Sequence, residues 1–419
     1  MSNLDLFWMR RALAEARKGH GAVEPNPMVG AVVVREGQRI GLGHHARFGG
    51  PHAEVVALAE AGPAARGATL YVTLEPCCHL GKTPPCTDAI LAAGVTRVVA
   101  AMRDPFPRVA GGGLVRLREA GLRVDVGLMD DAAARLNAPY LKRLATGLPY
   151  VTAKWAMTLD GKTATASGDS RWISSPRSRA CVHVLRGRMD AILVGIGTAL
   201  ADDPQLTARP PGPRQPVRIV LDGAARLPVG SRLAQTAREA PVWIAVTGQA
   251  PADRLAALAA LGCEILEFPG DGRIPILLLL SELSRRGVAN LLVEGGGQVL
   301  GAFLDAGHVD AVDVYIAPTL EGGDHSFTAA RGVGRPTMDA VARLDWHEVT
   351  AIDGDIRLRG TLPASWSVRG ALLLEAGDPH PPSGHPLPGG EGEPSTTHSP
   401  ESVSSPLDPG GRGAVHSVE

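Results

Sequence analysis

At 419 residues the chain is long enough for two or three domains of the usual ~100–200 residues. Net charge is −1 and aromatic residues make up 4%. There is thus no global positive field to hold nucleic acid or anionic lipid, and little ring content for a single-strand stacking platform. No run of about 18 apolar residues occurs, which excludes a membrane-spanning helix.

The first twenty residues predict an amphipathic helix, with Leu6, Met9, Leu13 and Ala16 on one face. Arg10, Arg11, Arg17 and Lys18 interrupt any apolar stretch, so the segment is not a signal peptide and a cytoplasmic location is expected by default. Strand and helix patterns then alternate: strand 28–36, helix 52–61, strand 68–76, helix 87–94, strand 97–102, helix 112–121, strand 122–127 and helix 131–147. Such alternation predicts an α/β fold with a largely parallel or mixed sheet covered on both faces. Thr146–Pro149 is a Gly/Pro break. A second series follows, with strands over 150–157, 191–196, 217–222, 242–247, 264–268, 290–296 and 312–317. A hairpin, 346–353 and 356–362, closes it around the turn Asp353–Asp355. The segment Gly323–Thr337 carries no assignable pattern. The alternation stops near residue 365. From Gly377 to Glu419, 24 of 43 residues are Pro, Gly or Ser, so a disordered tail is expected over 366–419. Its histidines, His380, His385, His398 and His416, are irregularly spaced and read as incidental.

The five cysteines are Cys77, Cys78, Cys86, Cys181 and Cys263. Three fall within ten residues, which favours a metal or reactive site over a disulfide framework. Pro51-His52-Ala53-Glu54 opens an apolar helix. Thr73-Leu74-Glu75-Pro76-Cys77-Cys78-His79 follows a strand and runs on through Gly81-Lys82-Thr83-Pro84-Pro85-Cys86. One imidazole and two thiolates, from His52, Cys77 and Cys86, make a three-ligand zinc set with a fourth position open for water. Nucleobase deaminases carry H-x-E followed by P-C-x-x-C; here eight residues separate the cysteines. Zinc lowers the pKa of water to about 7, and a carboxylate must then carry the proton to the ring nitrogen and the departing amine. Glu54, two residues after His52, cannot share the ligand's direction and reads as that base. Taken singly, His52 reads as structural and the cysteines as small buried hydrophobes; their joint occurrence with Pro76 behind a strand favours zinc. Cys78 points away from Cys77 and is not expected to bind metal. Glu75 either orients the loop or pairs with Lys82.

The run PHAE…TLEPCCHLGKTPPC, with its eight-residue gap, resembles the bifunctional deaminase/reductase family of riboflavin biosynthesis. Further along, 154–162 (KWAMTLDGK), 167–175 (SGDSRWISS), 195–204 (GIGTALADDP) and 293–297 (VEGGG) are similar to that family's reductase, and the resemblance covers most of 148–360. It implies a cytidine-deaminase-like α/β/α zinc domain over 1–146 and a dihydrofolate-reductase-like α/β domain using NADPH over 148–365. The implied reactions are hydrolytic deamination of 2,5-diamino-6-ribosylamino-4(3H)-pyrimidinone 5′-phosphate, then reduction of the ribosyl chain to ribityl. The product is 5-amino-6-(5-phosphoribitylamino)uracil.

Carried over by position, Asn26, His45, His79 and Lys82 are implied as deaminase substrate contacts. Chemically, Lys82 suits a phosphate or pyrimidine oxygen and Asn26 a base edge. The cofactor set is Ala156, Trp172, Thr198, Asp202, Gly223, Gly296, Gly297, Gln298, Val299, Leu300, Gly301 and Ala302. The reductase substrate set is Ser170, Arg186, Leu206, Arg209 and Glu294, with the two arginines as cations for the ribose phosphate. Lys154 and Asp202 are polar groups in otherwise apolar surroundings, suited to tuning proton movement during reduction. The residues alone say less. A strand, a Gly-rich turn and a helix start at 290–304 suit phosphate binding by backbone N–H groups, and no G-x-G-x-x-G follows the first strand, which disfavours the usual dinucleotide fold. The loop QLTARPPGPRQPV, 205–217, is shorter than relatives often carry.

Competing readings are a nucleic-acid base deaminase, which needs a basic groove and aromatics, and a non-catalytic sensor, which has no need of Glu54. The nearest alternative is an active deaminase with an inactive reductase-like domain. The expected partner is a small phosphorylated pyrimidine, with neither nucleic acid nor membrane; a homo-oligomer is compatible with these patterns.

Overall fold

Two sheets account for the alternation along the chain. The structure, a computed structural model, describes residues 2–363, so the tail expected over 366–419 lies outside the described residues. The first sheet has β1 (Gly30–Arg35), β2 (Gln38–His44), β3 (Thr69–Val72), β4 (Arg97–Ala100) and β5 (Arg123–Val126), in the order β2-β1-β3-β4-β5. β1 runs antiparallel to both neighbours; β3, β4 and β5 are parallel. Helices α1 (Asn3–Ala16), α5 (Asp130–Leu136) and α6 (Ala138–Thr146) cover one face, and α2 (Ala53–Ala61), α3 (Cys86–Ala92) and α4 (Gly112–Glu119) the other. The period-2 alternation of the strands decides this. Val32, Val34, Tyr71 and Val99 join the first core, and Ala31, Val33, Leu70, Val72 and Val98 the second.

Two local departures have clear causes. β2 was not expected, because QRIGLGH alternates glycine rather than apolar side chains. Those glycines are what let α2 lie against the strand: a methyl on Gly41 would sit 2.1 Å from the Ala57 carbonyl oxygen, and one on Gly43 2.4 Å from that of Ala53. The helix expected over 131–147 is two helices, broken at Asn137. Its side-chain amide accepts from Met28 N (2.7 Å) and donates to Met28 O (3.1 Å), while its backbone N–H still bonds the Ala133 carbonyl.

The second sheet is built from β6 (Tyr150–Thr158), β8 (Ala191–Gly195), β9 (Val217–Leu221), β10 (Val242–Thr247), β11 (Glu264–Phe268), β12 (Asn290–Val293), β13 (Ala311–Ala317), β15 (Asp345–Ile352) and β16 (Asp355–Thr361). The order is β11-β10-β9-β8-β12-β6-β13-β16-β15, parallel from β11 to β13 and antiparallel across the closing hairpin. Helices α7 (Pro176–Arg186), α8 (Ile196–Asp202), α9 (Arg232–Gln235) and α10 (Ala252–Ala260) pack on one face, α11 (Ile276–Arg285) and α12 (Gly297–Asp305) on the other. A short ribbon, β7 (Lys162–Ala164) with β14 (Phe327–Thr328), lies within the second half and gives part of the unassigned 323–337 segment a strand. Polar links join the halves. The buried Lys142 ammonium of α6 meets Asp310 at 2.5 Å, and Arg214 reaches the Gly21 and Glu24 carbonyls. Among the described residues no helix is long and apolar enough to cross a membrane.

Gly41→Ala should lower stability by roughly 1–3 kcal/mol through overpacking against α2. Calorimetric melting checks this; an unchanged Tm would show that α2 does not press on β2.

Candidate active sites

The first site forms where two helix N-termini meet at one edge of the first sheet. His52 is the N-cap of α2 and Cys86 the first residue of α3, while Cys77 lies in the loop after β3. His52 Nδ1 is 3.1 Å from Cys86 Sγ and 3.5 Å from Cys77 Sγ, and all three donor atoms fall within 4.8 Å of one another. A tetrahedral zinc with Zn–N and Zn–S bonds near 2.0 and 2.3 Å needs donor separations of about 3.5–3.8 Å. The three side chains therefore fit the ion with only small shifts. The Cys86 backbone N–H donates to Cys77 Sγ at 3.3 Å, as expected where a thiolate faces a helix start. That thiol is pushed down to about 4, chiefly by its hydrogen bond with Cys86, whose own thiol is correspondingly pushed up. His52 Nε2 turns the other way, 3.5 Å from Thr83 Oγ1.

Glu54 is buried on the first turn of α2, and burial pushes its carboxyl up to about 7. A carboxyl that gains and loses a proton near neutrality is suited to general acid–base work. The residues expected to contact the deaminase substrate have the following surroundings. His45 is buried and its Nδ1 donates to the Pro51 carbonyl at 3.0 Å, leaving Nε2 to accept from Asn26 Nδ2 at 3.3 Å. Burial holds that imidazole below its usual pKa, in keeping with a neutral ring. The His45 and His52 rings meet edge to face, centroids 5.3 Å apart. Lys82 lies over the Phe48 ring at 4.1 Å, and His79 packs near Phe106 with Nδ1 buried and unpartnered by hydrogen bonds.

Glu75 is neither a ligand nor Lys82's partner. Its two oxygens accept from the backbone N–H groups of Asp104, Gly111, Gly113 and Leu114 at 2.9–3.3 Å, tying the metal loop to the start of α4. A methyl on Gly113 would fall 2.0 Å from the Pro76 carbonyl oxygen, so only glycine permits this approach. Cys78 Sγ stands outside the donor cluster.

The second constellation follows the C-terminal ends of the parallel strands of the second sheet, where open α/β sheets bind ligands. Gly195 ends β8, Gly223 follows β9 and Glu294 follows β12. Gly295 and Gly296 have φ of +102° and +79°, which side chains rarely tolerate, and a methyl on Gly296 would lie 3.1 Å from Thr198 Oγ1. Gly297–Ala302 form the first turns of α12, and the Gly223 carbonyl accepts from Thr247 N at 3.0 Å. Trp172 is 70% exposed, its ring 4.4 Å from the Arg179 guanidinium. The Asp202 carbonyl accepts from Arg171 at 2.6 Å. Ser170 precedes that pair in a half-buried loop position. Arg186 makes a two-pronged ion pair with Glu294, both bonds 2.6 Å. Lys154, on β6 with Ala156, is held below its usual pKa by burial, opposed by the Glu294 charge. Arg209 is exposed and held by Gln205 Oε1 (2.9 Å) and Thr207 Oγ1 (3.0 Å). Leu206 has φ +53° and is buried in the core with Ile192 and Val194.

Residues 149–358 match the RibD C-terminal domain and residues 2–102 the zinc-binding region of cytidine and deoxycytidylate deaminases. A riboflavin biosynthesis protein RibD of Aquifex aeolicus is 46% identical over 320 residues, 76% of this chain and 88% of that one. That of Escherichia coli is 45% identical over 333 residues, with 76% and 89% covered. The chain belongs to the RibD family. Acinetobacter baumannii RibD superposes with a TM-score of 0.74 at 39% identity, covering 86% of this chain and 99% of that one. A Thermotoga maritima diaminohydroxyphosphoribosylaminopyrimidine deaminase/5-amino-6-(5-phosphoribosylamino)uracil reductase superposes at 0.73 and 34% identity, with the same coverage. As a RibD protein the chain is a zinc-dependent deaminase and an NADPH-dependent reductase. Of the two roles the sequence leaves open for Glu75, the structure shows the one that orients the loop; the Phe48 platform under Lys82 carries no visible signal in the sequence, because it depends on contacts between distant segments.

Cys86→Ala should drop zinc from near one per chain toward zero, read by elemental analysis. Full metal retention would remove Cys86 from the ligand set.

Proposed function

We propose that residues 1–146 carry the deaminase and 148–365 the reductase, with the residues above in the roles their surroundings support. The enzyme performs two steps of riboflavin biosynthesis, replacing an amino group on a phosphoribosylaminopyrimidine by oxygen and then reducing the ribosyl chain. The observation that carries the first step is the cluster of His52, Cys77 and Cys86 with the buried Glu54 carboxyl on the same first turn of α2. When bound, zinc supplies the Lewis acidity that makes water a nucleophile near neutral pH. Glu54 takes the water proton on a carboxylate oxygen and delivers it to the ring nitrogen. It then returns a proton to the departing amine, so water enters and ammonia leaves. Asn26, steadied by neutral His45, hydrogen-bonds the base edge, and Lys82 and His79 face the pyrimidine or its phosphate.

In the reductase, NADPH supplies the hydride that reduces C1′ of the opened ribose. Positive-φ Gly295 and Gly296 bring the backbone at the start of α12 close to the cofactor. Glu294 holds Arg186 in a fixed fork, and Arg209 stands exposed nearby for the sugar phosphate. Lys154 is assigned to supplying the proton taken up by the nitrogen or oxygen attached to C1′ as that carbon receives the hydride. We place the enzyme in the cytoplasm, because its phosphorylated substrate and cofactor do not cross a bilayer unaided.

Zinc-loaded protein given the diaminopyrimidine ribotide should yield a product heavier by about one mass unit without NADPH, and by about two more with it. The first shift alone under both conditions would establish an inactive reductase-like half. Glu54→Gln should keep zinc and lose deamination by at least about a hundredfold; an unaffected rate would remove Glu54 from the chemistry.

A further inference from the structure

We propose that Arg214, a residue of the reductase half, is a positioning residue for the deaminase substrate pocket. The proposal rests on the deaminase reading above. Arg214 lies in the proline-rich 205–217 loop, and each guanidinium nitrogen has its own partner. Nε donates to the Gly21 carbonyl at 2.7 Å, one terminal nitrogen to the Glu24 carbonyl at 2.5 Å, and the other pairs with Asp190. The two carbonyls bracket the loop that presents Asn26. Within it, Gly21 N donates to Glu24 Oε1 (3.1 Å) and Asn26 N to the Val23 carbonyl (3.0 Å). Between the anchors, the Ala22 carbonyl accepts from Phe48 N at 3.1 Å, and the Phe48 ring carries the Lys82 ammonium. One guanidinium therefore fixes the loop from which two substrate-facing groups hang, Asn26 directly and Lys82 through Phe48.

Arg214 is itself fixed. Its backbone N–H donates to the Gly187 carbonyl at 3.0 Å, and Gly212 lies so close to Gly187 that a methyl there would come within 2.4 Å of that oxygen. Asp190 is anchored by the Ala289 and Asn290 N–H groups at 2.9 and 2.8 Å, at the start of β12. Gly21 has φ +87°, and a methyl on it would meet the Arg188 Cα at 2.8 Å, so the loop lies directly on the reductase half. A planar fork serving three acceptors in fixed directions is a task that a lysine ammonium does not reproduce. None of the metal ligands hangs from this loop: His52 sits at α2, Cys77 after β3 and Cys86 on α3.

The test measures deaminase kinetics, zinc content and, with the deaminated intermediate supplied, reductase rate in Arg214→Ala and Arg214→Lys. The expected result is a deaminase KM raised on the order of tenfold in the alanine variant and less in the lysine variant. Deaminase kcat should stay within about threefold, with zinc retained and the reductase rate within about twofold. An unchanged KM in an active enzyme overturns the proposal. So does loss of zinc, or a parallel fall of both activities, because either makes Arg214 merely structural. If the alanine variant does not fold, the lysine variant, which keeps a cation beside Asp190, decides by the same readings. Wild-type protein that does not deaminate would instead refute the deaminase reading itself.

Discussion

The first half of the molecule depends on two helices that begin at the same point. An imidazole at the N-cap of α2 and a thiol at the start of α3 can share an ion only if both helix axes aim at one spot over the sheet. Gly41 and Gly43 let α2 settle on β2, Glu75 ties the intervening loop to α4, and the α3 N–H groups favour negative charge on Cys77. The same burial that closes this corner raises Glu54 into the range where a carboxyl exchanges protons at neutral pH. Metal geometry and acid–base chemistry thus come from one packing arrangement.

The second half solves a different problem, holding charge without a metal. Arg186 and Glu294 neutralise one another in a buried fork beside Lys154. A buried ion pair adds little to stability, yet removing one partner strands the other at a cost of about 3–5 kcal/mol. Such a pair serves direction more than strength. It fixes where charge stands at the strand ends, while the glycines after β12 bring the backbone close. That division agrees with a cofactor that carries the reactive chemistry and a protein that supplies placement.

Much of this was legible in the sequence for physical reasons. The core strands are runs of Val, Ile and Leu, and the zinc side chains are rare residue types at fixed offsets, so both stand out in a linear reading. The hairpin over 345–361 and the sheet strands agree with expectation to within one to three residues at most ends. What escaped depends on partners far along the chain. β2 is invisible because glycine is chosen there for a helix that follows it. Asn137 breaks a helix to serve Met28, more than a hundred residues earlier. For Glu75 the sequence leaves two roles open, orienting the loop or pairing with Lys82, and cannot choose the first because its backbone donors lie about thirty to forty residues away. Leu206 has a left-handed backbone and a core position that no local pattern announces.

The buried Lys142–Asp310 contact joins α6 to the residue just before β13. Asp310 also accepts the Val151 N–H, so one carboxylate serves a helix of the first half and a strand of the second. A buried ammonium that loses its carboxylate is costly, so the seam between the halves is held by directed charge as well as by apolar contact. The two halves are thereby fixed in orientation at this point, and a load on α6 is carried directly to the strand that opens the second sheet.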